Sequence, residues 1–148
     1  MKADWLKEAA RAGVFHLSAE ARELAGAAAS AGLMVVYVDI GHAHDKDHFA
    51  EHVAEAMRFP DPPRDWNAFA NGLKDLAWMP SKGWVVILEK SKHFAGGHGH
   101  EFKEAMAAMS AAADHWRAHG KPLWTLIAFQ RWRAEWARSA TPPPAASA

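Results

Sequence analysis

Three uninterrupted apolar runs constrain this chain more than any other feature: LMVVYVDI at 33–40, WVVILE at 84–89 and LWTLIAF at 123–129. They are rich in β-branched or aromatic residues and carry a charge, where there is one, only at the end. A strand with one wet face alternates apolar and polar side chains. A continuous run therefore requires cover on both faces, as in a parallel sheet flanked by helices. The segments between the runs have helical spacing. After Gly41 a helix is predicted from about His44 or Asp45, with Phe49, Val53, Ala56 and Met57 as its buried stripe. FPDPP at 59–63 ends it, because proline cannot continue a helix, and a second helix is predicted from Asp65, its N-cap, to about Ala77. The longest runs from about Glu101 to His119, with Phe102, Ala105, Met106, Met109, Ala113 and Trp116 on one side, and stops at Gly120 with Pro122 following.

KSKHFAGGHGH at 90–100 reads as a loop. Upstream, GVFHL at 13–17 is a short apolar run, and a helix is predicted from Ser18 to about Ser30, stopped by Gly32. Downstream, QRWRAEWARSA at 130–140 has the pattern of a short amphipathic helix, and TPPPAASA at 141–148 is expected to be disordered. Strands alternating with helices mean an α/β domain with a mainly parallel sheet and right-handed crossovers. A chain of 148 residues is long enough for one core that buries roughly two-thirds of its unfolded surface.

Charge removes several function classes. Lys+Arg and Asp+Glu balance at 17 each, so there is no basic field of the kind that nucleic-acid binding rests on, and no direct nucleic-acid partner is expected. The chain has no cysteine, which excludes disulfides, thiolate catalysis and cysteine-ligated zinc and fits a reducing compartment. MKADWLKEAARAG carries charges where a secretory signal needs an apolar core, and no run approaches the ~18–20 apolar residues of a membrane span. The chain is expected to be cytoplasmic, with no membrane partner.

Ten histidines are a compositional oddity. His44, His48 and His52 stand four apart, along one flank of the predicted helix, with His42 just before it. Histidines at i and i+4, here His44 and His48, can hold a divalent metal, with Asp45 or Asp47 adding oxygen. No His-Glu-x-x-His pattern accompanies them, and a solvated flank beside the Phe49/Val53 stripe explains the spacing equally, so no metal and no cofactor are expected. The glycines of HFAGGHGHEF at 93–102 lack the lysine and hydroxyl of a phosphate loop and read as a crossover connection. No spacing sets a nucleophile beside its base, and the chain is expected not to be an enzyme. Trp66, Trp84, Trp116 and Trp124 fall on apolar stripes or strands and belong to the core, whereas Trp132 and Trp136 with Arg131, Arg133 and Arg138 form an aromatic and basic tail.

The strand ending in Val38-Asp39, the helix closing in FPD, then DWNAF, GLKDLAW and WVVILE together resemble the barstar family of intracellular ribonuclease inhibitors. The likeness is best over about residues 33–90, and the order of elements continues to Phe129. The first thirty residues resemble those of longer bacterial barstar-related proteins. The resemblance implies a three-layer fold with a small, mainly parallel sheet of three or four strands, flanked by helices. It also implies inhibition by plugging a ribonuclease active site with a loop and the helix after it. In the family pattern that segment reads Phe-Pro, an aromatic, Gly, Asn, a hydrophobe, Asp-Ala-Leu, then Asp-Cys-Leu. Here Pro62-Pro63 replaces the aromatic, the glycine is missing, Asp65 takes the asparagine position, Asn67 and Asn71 take the two acidic positions, and Gly72 replaces the cysteine.

At 100° per residue Trp66, Phe69, Leu73, Leu76 and Ala77 share one stripe, and Asn67, Asn71, Lys74 and Asp75 project from the other side. An amide keeps hydrogen bonds but loses the charge that pairs with arginine. Losing one partner of a buried charged pair typically costs about 2 to 5 kcal/mol, and the barnase–barstar complex is itself among those on which strong charge couplings were measured.

The expectation is a single barstar-like domain over 1–129, comprising a strand–helix extension at 1–32 and the core at 33–129, followed by a tail at 130–148 disordered from about 140. Its expected role is that of an inhibitor or immunity protein occluding a ribonuclease or related toxin, with Asp61, Arg64, Asp65, Asn67, Asn71 and Asp75 as the partner-binding surface. The alternatives are a diverged binding module with a non-ribonuclease partner, or a His-dependent metal-binding protein.

Overall fold

The computed structural model describes residues 12–16 and 24–128. All three apolar runs form strands, and a fourth comes from the first apolar stretch: β1 (Val14–His16), β2 (Met34–Asp39), β3 (Trp84–Glu89) and β4 (Leu123–Ile127). They make one sheet in the order β1-β4-β3-β2 with every pairing parallel. Val36 sits opposite Val86 and Val86 opposite Thr125, so the covered strands are in register across the sheet. This is the α/β fold with a small parallel sheet expected from the sequence.

The helices are α1 (Leu24–Ser30), α2 (Lys46–Ala56), α3 (Trp66–Leu73), α4 (Lys92–Gly97) and α5 (Gly99–Ala118). Their placement follows from handedness. From β2 to β3 to β4 the chain steps one way across the sheet, and right-handed crossovers put α2, α3 and α5 on one face. From β1 to β2 it steps the other way, which sends α1 to the opposite face. The cores agree: Phe49, Val53, Phe69, Leu73 and Met109 pack on Val36, Val86 and Leu88. Ala28 joins Leu33, Val85, Ile87 and Leu126 behind the sheet. β3 and β4 are buried along their whole length, which is why their sequences contain no alternation.

Several boundaries differ from the expectation. In α2 the buried residues are Phe49, Ala50, Val53 and Ala54, with Met57 just past the end, and Ala56 is only half-buried. Residues 92–97, expected as loop, form α4, because Phe94 is fully buried and pins that turn to the core. α3 stops at Leu73, not Ala77. Leu76 takes a left-handed φ of 49°, which turns the chain so that Leu76 is buried while Ala77 is left exposed. The predicted helix start at Ser18 and the tail with Trp132 and Trp136 lie outside the described residues. No helix among the described residues is long and apolar enough to cross a membrane.

Candidate functional site

The loop 58–65 and α3 form one surface unit, held from below by aromatic packing. Asp65 begins α3: its backbone is extended and its side chain accepts from the Ala68 N–H at 2.8 Å, the N-cap read from the sequence. Phe69 and Leu73 are fully buried, so the opposite face of the helix must look outward. Asn67 and Asn71, one turn apart, are both exposed there.

Three indole N–H groups close carbonyls left over where the surrounding helices and loop end. Trp78 Nε1 donates to the Met57 carbonyl just past α2 at 2.9 Å. Trp116 Nε1, from α5, donates to the carbonyl of Leu73, the last residue of α3, at 2.8 Å. Trp84 Nε1 donates to the Met79 carbonyl at 3.0 Å. Trp84 is buried as expected, while Trp66 and Trp116 are half-buried at the core's edge. The Lys46 ammonium stands 5.3 Å from the Trp66 ring.

Between the loop and α3 lies an open groove of about 650 Å³ whose rim includes Asp61, Arg64, Asn71 and Asp75. Four of the six residues expected to meet a partner thus surround one depression. Asp65 and Asn67 are outside that lining; Asp65 is engaged as the cap, and Asn67 lies one helical turn before Asn71. The sequence reading missed the aromatic floor, Phe59 and Trp78, whose rings meet edge to face at 5.1 Å. Its signal was the glycine at the position of the family cysteine. A Cβ on Gly72 would lie 2.3 Å from Phe59 Cε2, so the Phe59 ring occupies the room a side chain there would need.

At the N-terminus of α2, Asp45 caps the helix by accepting from the His48 N–H at 2.8 Å, and that bond holds its carboxyl below the ordinary value. Lys46 links α2 to α5. Its backbone N–H donates to Glu101 Oε1 at 2.9 Å and its ammonium donates to Glu104 Oε2 at 2.7 Å. That side-chain bond raises the Lys46 pKa and lowers that of Glu104.

The pair read as a metal candidate, His44 and His48, has ring centroids 5.8 Å apart, and His48 Nδ1 lies 3.6 Å from Asp45 Oδ1. Among the described residues, the histidines whose ligand atoms lie mutually close are His44, His93 and His98, a set that keeps His44 and leaves out His48.

No curated protein and no solved structure matches the chain significantly. The family model described as Barstar (barnase inhibitor) matches residues 33–128, from the start of the first long apolar run to one residue past β4. With that match over most of its length, and with a parallel sheet carrying the loop and helix of the family's pattern in order, the chain belongs to the barstar family.

Proposed function

We propose that this protein is an intracellular inhibitor or immunity protein, which binds a ribonuclease or related toxin of its own cell and occludes its active site. It acts by binding and not by catalysis, in the cytoplasm, and its contact surface is the Asp61–Asp75 segment. The observation that carries this reading is the groove: Asp61, Arg64, Asn71 and Asp75 rim a single depression on a helix whose other face is locked into the core. A rigid, part-polar, part-aromatic surface loses little entropy on docking, which suits a steric plug.

Asn67 and Asn71 favour a second reading within the same fold, a binding module whose partner is not a ribonuclease. Amides can donate and accept, but they do not neutralise a strongly basic catalytic cleft. One experiment separates the two. The full chain and an Asn67→Arg/Asn71→Arg variant are used to capture partners from host lysate, with identification by mass spectrometry and a ribonuclease assay of the captured protein. The proposal expects a small basic nuclease or toxin that is retained by the wild type, silenced by it and lost by the variant. A partner without nuclease or toxin activity selects the second reading. Capture of any partner equally by both proteins removes the helix face from the site.

A further inference from the structure

β2 and β3 are adjacent and parallel, with Asp39 opposite Glu89, so their following connections leave the same edge of the sheet side by side. His44 stands five residues beyond Asp39, and His93 four beyond Glu89. His98 follows at the junction of α4 and α5. Topology therefore brings together residues that are about fifty positions apart in the chain. One ligand nitrogen from each of His44, His93 and His98 lies within 4.8 Å of the other two. The ring centroids are 5.7 Å apart for His44–His93, 5.9 Å for His44–His98 and 5.1 Å for His93–His98.

The backbone under each histidine is anchored. Ahead of His44, Gly41 N–H donates to Asp39 Oδ1 at 2.8 Å, Ile40 N–H to the Glu89 carbonyl at 3.0 Å, and Ala43 is fully buried. His93 lies between two fully buried residues, Ser91, whose hydroxyl donates to the Ala128 carbonyl at 2.8 Å, and Phe94. His98 N–H donates to the Phe94 carbonyl at 3.0 Å. His44 and His93 are exposed and His98 half-buried, so the rings can turn on a fixed base and solvent can reach them. The neighbouring set of His100, Glu101 and Glu104 differs, because both its carboxylates are engaged by Lys46.

We propose that His44, His93 and His98 form a binding site for a divalent first-row transition metal of the zinc class. The donors are three imidazole nitrogens with no carboxylate among them, which suits Zn²⁺, Ni²⁺ or Cu²⁺ and disfavours the hard, oxygen-seeking Mg²⁺ and Ca²⁺. Metal–nitrogen bonds of about 2.0–2.1 Å at tetrahedral angles need nitrogens about 3.4 Å apart, and ring rotation closes the gap from the present spacing. Three protein ligands at an accessible position leave the fourth for water or for a donor from a partner. The bound ion ties the β2–α2 connection to the α4–α5 junction across the sheet edge. None of the three histidines lines the groove beside α3, so the site stands or falls independently of the inhibitor reading.

The test uses the tag-free full chain, stripped with chelator and titrated with zinc chloride in a calorimeter. Cobalt(II) absorption reports tetrahedral coordination. One equivalent is expected to bind, with affinity falling by about tenfold or more in His93→Ala and again in His98→Ala, since losing even an outer-shell partner costs that much. His115→Ala is expected to bind like the wild type, although the His115 and His119 rings are only 4.5 Å apart. Should His98→Ala fail to fold, the exposed His93→Ala carries the test alone. Absence of saturable binding, unchanged affinity in His93→Ala, or an equal loss in His115→Ala overturns the proposal.

Discussion

Gly72 shows how one position can tie sequence divergence to geometry. Inside a helix, replacing glycine by alanine ordinarily gains up to about 1 kcal/mol. Here the added Cβ would sit 2.3 Å from Phe59 Cε2 and 2.8 Å from Cζ, on a ring that also stacks on Phe69. Overpacking of that kind costs about 1–3 kcal/mol, so the clash wins over the propensity gain. Gly72→Ala is expected to lower stability in a urea titration by about 1–2 kcal/mol. If the Phe59 ring swings out instead, the variant will show a rearranged groove floor, visible as changed fluorescence of the adjacent Trp78. The glycine was legible in the sequence as a departure from the family's cysteine, but its reason was not. The ring that excludes a side chain comes from thirteen positions earlier, beyond the reach of any local pattern.

At the scale of elements, helix beginnings were more legible than helix ends. Asp45 and Asp65 cap the helices that the sequence places after them, because capping is a bond within a single turn. The end of α3 was missed since Leu76 accepts a left-handed backbone, at a cost of roughly 1–2 kcal/mol, to reach the core, where burying its side chain returns more. The Lys46–Glu104 bridge between α2 and α5, fifty-eight positions apart, could not be read from spacing at all. It makes a titration prediction. Glu104 is held below its ordinary value of 4.5, first by the hydrogen bond from Lys46, so its contribution is present above 4.5 and is lost as pH falls through the lower folded value. Lys46 is shifted upward from 10.5, so its side of the bridge is present below 10.5 and is lost as pH rises through the higher folded value. Carboxyl resonances followed by NMR are expected to show Glu104 titrating below 4.5, and Lys46→Met is expected to return it toward that value. Both groups face solvent, and their effect on global stability is accordingly small.

For the molecule as a whole, charge decides how a partner is met. The chain is neutral, with 17 basic and 17 acidic residues, and the Asp61–Asp75 segment sets three aspartates against Arg64 and Lys74. Long-range steering needs a strong field, and Asn67 and Asn71 withhold the two charges that would have supplied it. Association with the partner is therefore expected to run at an ordinary rate of about 10⁵–10⁷ M⁻¹s⁻¹ and to change little between low and high salt. Stopped-flow measurement at the two ionic strengths checks this. A rate that falls steeply with salt would place the contact on a more strongly charged surface than the groove beside α3.

Taken alone, the sequence determined the α/β class, the strand-forming segments and the position of every long helix among the described residues, and the resemblance to the family marked the segment proposed as the contact surface. The fold class, strands and helices depend on a hydrophobic period or on a bond between near neighbours in the chain, whereas the contact segment rests on the match to the family's pattern. Only the tertiary structure decided that GVFHL supplies an edge strand beside β4, that Phe94 turns a glycine-rich loop into a helix, and that Phe59 floors a groove by excluding a side chain at Gly72. It also decided that His44 keeps company with His93 and His98 and not only with His48. The reason is common to all four: parallel strands are joined by long crossovers, so the residues that meet at a sheet edge or under a helix come from distant parts of the chain. Periodicity describes which way a side chain faces along its own element, and carries no record of what stands opposite.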